Sequence, residues 1–273
     1  MSFFFASLNS GSNGNCYCVG NDTDIVLIDG GISCKETEKR MSSIGLSLKK
    51  VKAVFVSHEH IDHVKGIEVL SQKHNIPVFL NEKTLMGASN FIPKNAAKLF
   101  ITGETISIGE LLVHTFSKKH DASDPISFVV EYKGLRIGVM TDIGSICENV
   151  THHFQLCDAV ILESNYDDEL LEKGKYPYLL KKRISGDHGH LSNEQALDLF
   201  VKHRSARLSH LMLGHLSQEN NHPSIVHDLF SKNSTNTHIS VASRKEASGI
   251  IVLGNETHKK AAPNSLMQLD LFD

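Results

Sequence analysis

Ser57-His58-Glu59-His60-Ile61-Asp62-His63 is the stretch that decides how this chain reads. It follows Val51 to Ser57, an apolar run expected to be a buried strand, and precedes Val64 to His74, whose apolar spacing is helical. His58 and His60, two apart in an extended segment, point the same way and can share one cation. Asp62 and His63 fall where the turn gives way to a helix, so they address a neighbouring position and begin a second site. A polar loop that merely caps a helix would account for Asp62 alone, but not for three flanking histidines at these spacings.

Outward from this stretch, the chain alternates short strands with a few helices. Strands are expected at Phe3 to Leu8, Cys16 to Val19 and Ile25 to Ile28, the last ending in Asp29-Gly30-Gly31. A helix at Lys35 to Ser43 stops at Gly45. Later strands fall near Val78 to Leu80, Leu112 to Phe116, Ile126 to Glu131, Arg136 to Thr141, Ala159 to Glu163, Leu208 to Leu213, His238 to Val241 and Gly249 to Leu253. Ser192 and Gln195 form a capping box for a helix from Glu194 to Lys202, and a further helix lies near Ser224 to Phe230. Many strands with few intervening helices favour packed sheets flanked by helices over a regular βαβ ladder. Residues 1–255 read as one catalytic domain and residues 256–273 as an appended tail.

A length of 273 residues suffices for one well-buried core, and 40% hydrophobic with 22% charged residues is the composition of a globular protein. A net charge of -3 argues against a strongly basic nucleic-acid coat, although bound divalent cations would add positive charge that the count omits. No segment approaches the roughly 18 to 20 apolar residues of a membrane span, and the start lacks a basic leader, so a cytoplasmic protein is expected. Five cysteines, at positions 16, 18, 34, 147 and 157, suit packed thiols in a reducing compartment. The unusual count is histidine, at 17, the commonest protein ligand for a metal ion.

The His-x-His-x-Asp-His pattern resembles the metallo-β-lactamase superfamily. That resemblance implies an αββα four-layer sandwich with two metals along one edge of the sheets. It also implies the rest of the ligand set: His120 after the Leu112 to Phe116 strand, Asp142 at the end of the next-but-one strand, and His215 in Gly214-His215-Leu216. Metal one would then be held by His58, His60 and His120, metal two by Asp62, His63 and His215, with Asp142 bridging. Zinc, manganese and iron all suit such mixed ligands. A water held between two such cations, about 3.5 to 4 Å apart, loses its proton more easily and serves as nucleophile, with Asp62 orienting it.

Three further stretches resemble the bacterial YycJ/WalJ-like branch of that superfamily: Ser7 to Cys16, Glu163-Ser164-Asn165-Tyr166-Asp167, and Gly186 to Asn193. The branch implies a phosphodiesterase acting as a 5′-to-3′ exonuclease on double-stranded DNA, in replication or repair. One position departs, since Tyr166 stands where the branch leads one to expect histidine, and a phenol is poor at proton transfer near neutral pH. From the residues alone, the loop at Gly189-His190-Leu191-Ser192 enters a helix where free N–H groups could hold an anion. His188 and His190 are therefore read as catalytic beside Asp62, and Asn9, Ser12, Asn15, Asn165 and Ser192 as phosphate contacts. Lys181, Lys182 and Arg183 are read as a solvated charged face. Gln268-Leu269-Asp270-Leu271-Phe272 resembles the peptide by which bacterial replication and repair proteins bind the sliding clamp, with Leu271 and Phe272 as anchors. The chain has no room for the inserted lid of larger nucleases, so an open site is expected. Two other readings compete: a phosphodiesterase for a small cyclic or modified nucleotide, and a non-catalytic adaptor acting through the clamp peptide.

Overall fold

The first strand shows how the sequence builds four layers. In the computed structural model, which describes residues 2–254, Phe3 and Phe5 point into a core between two sheets while Phe4, Ala6 and Leu8 point into a second core under helices. Successive strand residues face opposite sides, so a strand buried on both faces must be apolar throughout. The runs Ile25-Val26-Leu27-Ile28 and Ala159-Val160-Ile161-Leu162 are buried at every position for the same reason.

One sheet contains β1 (Phe3–Asn9), β2 (Cys16–Asn21), β3 (Ile25–Ile28), β4 (Val51–Phe55), β5 (Val78–Leu80) and β6 (Ala97–Leu99) in that order, with β14 (Ile251–Leu253) beside β1. The other runs β7 (Thr105–Ile108), β8 (Leu111–Ser117), β9 (Ile126–Tyr132), β10 (Leu135–Met140), β11 (Ala159–Glu163), β12 (His210–Gly214), β13 (His238–Val241). Strands β3 to β6 are parallel, as are β10 to β13. Their connections leave from the same strand ends, and the stretches that carry the expected metal ligands sit there. Helices α1 (Cys34–Ser43), α2 (Ile61–Val64), α3 (Ile67–His74) and α4 (Glu82–Gly87) follow strands of the first sheet. Helices α5 (Glu148–Phe154), α6 (Asp168–Lys173), α7 (Tyr178–Ile184), α8 (Asn193–His203) and α9 (Pro223–Lys232) follow strands of the second. The three apolar clusters lie between the sheets, beneath α1 and α3, and beneath α5, α8 and α9.

The αββα architecture expected from the sequence is therefore present. Two local differences have physical causes. The helix expected from Val64 to His74 breaks into α2 and α3 at Gly66, whose N–H bonds Gly30 O and where a Cβ would lie 1.8 Å from Ile32 O. Strands β6 and β7 and helices α4 to α7, absent from the sequence reading, are too short to show a period. All five cysteines are unpaired and four are buried, as expected for packed thiols. No helix among the described residues is long and apolar enough to cross a membrane. The clamp-like peptide, Gln268 to Phe272, lies outside the described residues.

On α5, His153 stacks on Phe116 with ring centroids 4.1 Å apart. Burial, together with His152, His114 and Arg136 nearby, lowers its pKa to about 4. The unfolded chain takes up that proton first, so this residue's contribution to stability is complete above about pH 6.5 and is lost as pH falls towards 4. An NMR titration of the His153 ring should show a midpoint near 4. A midpoint near 6.5 would mean that the ring is not packed as described.

Candidate metal centre

Three histidines are turned towards one point by what holds their other ring nitrogens. Ser57 Oγ donates to Asp29 Oδ2 and so accepts from His58 Nδ1 at 2.8 Å, which leaves His58 Nε2 as a lone pair. His60 Nε2 reaches Asp121 O at 3.2 Å, leaving Nδ1, and His120 Nδ1 reaches Gly189 O at 2.9 Å, leaving Nε2. The free nitrogens of His58 and His60 face each other at 3.1 Å. Two lone pairs at that separation repel unless a cation lies between their directions. Burial holds His120 down to about 3 and His58 well below the usual histidine range, so both rings are neutral and able to ligate. His58, His60 and His120 form one set of candidate ligand atoms within 4.8 Å of one another.

Next to them, His63 donates from Nδ1 to Asp29 Oδ2 at 2.7 Å and turns Nε2 to Asp142 Oδ2 at 3.4 Å and Asp62 Oδ2 at 3.6 Å. His215 Nδ1 lies 2.9 Å from Asp142 Oδ1, and its Nε2 lies 3.9 Å from Asp62 Oδ2. His120 Nε2, Asp142 Oδ2 and His215 Nδ1 are buried and make no hydrogen bond. Unsatisfied buried polar atoms cost stability unless something else pairs with them, and three pointing into one His/Asp cluster fit a divalent cation. The residues present thus fit the metals that the sequence implied, and the clusters are consistent with a binuclear site.

The backbone stores strain at the same place. Asp29, Asp142 and His215 have φ of 62°, 55° and 54°, the left-handed region that non-glycine residues seldom occupy. Each sits just past the end of a strand, where that turn swings its side chain inward. His215 is gripped on both sides, its N–H by Ser10 Oγ at 2.7 Å and its C=O by Asn165 Nδ2 at 2.7 Å. The Asp62 turn is equally constrained, because Asn15 N bonds Asp62 O at 2.7 Å and a Cβ on Gly31 would lie 1.6 Å from that same oxygen. Glu59 ties the His58–His60 stretch to the His120 loop by accepting from Ser123 N at 2.8 Å.

All seven residues expected as ligands come together. His190 joins them, its ring centroid 5.1 Å from His120 and 5.2 Å from His215. Its Nδ1 lies 2.7 Å from Glu163 Oε1, while Glu163 Oε2 accepts from Ile143 N and Leu191 N. Burial lowers the His190 pKa, but Glu163 outweighs it and pushes it up to about 9. Asp142, Glu163, His190 and His215 form a second compact ligand set. His188, by contrast, is exposed at the surface of the same loop.

Of the five residues read as phosphate contacts, three are committed inside the protein. Asn9 holds Gly14 O, Asn13 and Arg40. Asn165 holds His215, and Ser192 caps α8 through Gln195 N in the expected capping box. Asn15 Nδ2 reaches Asp62 Oδ2 at 3.2 Å, and Ser12 is exposed. Asn15→Ala is expected to lower kcat about 10- to 100-fold, by freeing Asp62. Unchanged kcat in the variant would show that Asn15 serves only the loop.

Asp29 and Glu163 also belong to the site, through His63 and His190, although no sequence motif marks them as such. Asp29 looks like a turn residue in Asp-Gly-Gly and Glu163 like a strand end. The only sequence signal for either was its place directly after an apolar strand.

Comparison with known proteins agrees with this geometry. A model of the beta-lactamase superfamily domain matches residues 25–215. The chain is 34% identical over 224 residues to the exodeoxyribonuclease YycJ of Bacillus anthracis, covering 81% of this chain and 85% of that one. It is 30% identical over 230 residues to the exodeoxyribonuclease WalJ of Streptococcus pneumoniae, covering 82% and 86%. Its fold is similar to that of the metallo-beta-lactamase fold protein YhfI from Bacillus subtilis, with a TM-score of 0.72 at 14% identity over 92% of this chain and 100% of that one.

Proposed function

Since the chain belongs to the metallo-β-lactamase superfamily, in its YycJ/WalJ-like branch, and carries that superfamily's clustered metal ligands, we propose that it is a 5′-to-3′ exonuclease on double-stranded DNA. The observation that carries this reading is the convergence of the seven expected ligand residues with the Glu163–His190 pair, in a chain similar over most of its length to two exodeoxyribonucleases.

His58, His60 and His120 would hold one divalent ion, Asp62, His63 and His215 the other, and Asp142 would bridge them. Bound zinc, manganese or iron would supply Lewis acidity and an acidified water for attack on phosphorus. The chain's own residues do the rest. Asp62, held by Asn15, accepts a hydrogen bond from the attacking water and so aims it. His190, oriented by buried Glu163, delivers a proton to the departing 3′ oxygen. His188 meets a phosphate at the rim of the loop. Ser12, exposed in the opening loop, is a direct phosphate contact, whereas Asn9, Asn165 and Ser192 act by fixing the loops around it.

The peptide Gln268-Leu269-Asp270-Leu271-Phe272 would tether the enzyme to the bacterial sliding clamp, which places its work in cytoplasmic DNA replication or repair. Duplex DNA labelled at either the 5′ or the 3′ end, beside a cyclic dinucleotide, tests the substrate and polarity. The 5′ label should appear first, as mononucleotide. Release from the 3′ end would overturn the polarity, and hydrolysis of the cyclic compound without DNA cleavage would replace DNA by a small phosphodiester.

A further inference from the structure

Helix α7 buries none of its seven residues, and its Tyr178 and Leu179 are 67% and 79% exposed. So short a helix gains little from its own hydrogen bonds, and core packing does not explain it. It is fastened to the metal centre instead. Ile184 O accepts from His190 N at 2.8 Å, and Arg183 Nε bonds Oδ2 of Asp121, the neighbour of His120, at 2.6 Å.

Between α6 and α7 opens a cavity of about 450 Å³. Tyr166, Tyr176 and Tyr178 line it, with Lys181 and Lys182 on the α7 side and Asp168 and Glu172 on the α6 side. Tyr166 is only 3% exposed and pairs through its backbone with Ser192, two residues beyond His190, roughly 7 Å along an extended chain. Two carboxylates offset the two lysines, so the cavity is no trap for a free anion. Flat aromatic walls with carboxylate acceptors match a nucleobase, which offers a π face and amino donors.

We propose that this cavity receives an unpaired base of the strand being hydrolysed, stacked on Tyr176 and Tyr178 above Tyr166, with Lys182 meeting the adjoining phosphate. Lys182 Nζ lies 5.1 Å over the Tyr178 ring, close enough to bridge base and backbone. The proposal rests on the reading of DNA as substrate. It also gives Tyr166 a use, since a phenol ring makes a broader, uncharged wall than the imidazole expected there.

Calorimetric binding of 5′-dAMP and of 2-deoxyribose 5-phosphate to the metal-loaded full chain separates base from phosphate. The nucleotide should bind at least about tenfold tighter. Tyr178→Ala should bring the two within about twofold, and Tyr178→Phe should restore the difference. Equal binding to the unmodified chain, or a preference that survives Tyr178→Ala, overturns the base site. The preference can hold while duplex DNA resists cleavage, in which case the base site stands and the DNA reading alone falls.

Discussion

Asp142→Ala is expected to slow phosphodiester hydrolysis by at least about 10³-fold and to lower the metal retained after desalting. Asp142 is 1% exposed, its Oδ2 makes no hydrogen bond, and it stands within 4 Å of nitrogens of His63, His120, His190 and His215. No other carboxylate among the described residues has ligand atoms of both halves of the centre that close. Metal-ion stabilisation of a transition state amounts to several kcal/mol, and each 1.36 kcal/mol is a factor of ten in rate. Metal content measured by mass spectrometry alongside kcat checks this. Full metal content with full activity in the variant would remove Asp142 from the centre.

His190→Ala should lower kcat on DNA by about 10²- to 10⁴-fold, the usual worth of a positioned general acid. On bis(p-nitrophenyl) phosphate the loss should be far smaller, because p-nitrophenolate departs without a proton. Glu163→Gln should follow the same pattern to a lesser degree, as it orients the ring without touching substrate. Equal losses on both substrates, accompanied by lost metal, would instead make His190 a ligand within the Asp142, Glu163, His190, His215 set.

What could be read from the sequence follows from how local each feature is. His58, His60, Asp62 and His63 are neighbours in the chain, and the apolar strand before them is unmistakable, so their grouping at a strand end was legible. Asp142 and His215 are single residues whose inward aim depends on a left-handed turn, and only a family resemblance picked them out. Asp29 and Glu163 act through partners distant in sequence, 34 residues to His63 and 27 to His190, which no local pattern encodes. The polar loops misled in an informative way. Asn9 ends β1, Asn165 lies just past β11 and Ser192 caps α8, all buried where backbone groups must be satisfied by the protein itself, and a side chain spent on that duty is not available to a ligand. Lys181, Lys182 and Arg183, expected as a solvated charged face, lie on α7 with Lys182 and Arg183 exposed, and the three side chains also reach Glu172 O, the Tyr178 ring and Asp121.

If this His/Asp cluster holds two divalent ions that drive hydrolysis, activity must follow metal occupancy. Metal-stripped protein titrated with Mn²⁺ or Zn²⁺, with bound metal and release of a 5′-labelled nucleotide measured in the same samples, tests it most directly. Stripped protein should release nothing, the rate should rise as the second equivalent binds, and Asp62→Ala should give a flat response at every metal concentration. Full activity from the stripped chain, or from Asp62→Ala, would contradict this dependence on metal.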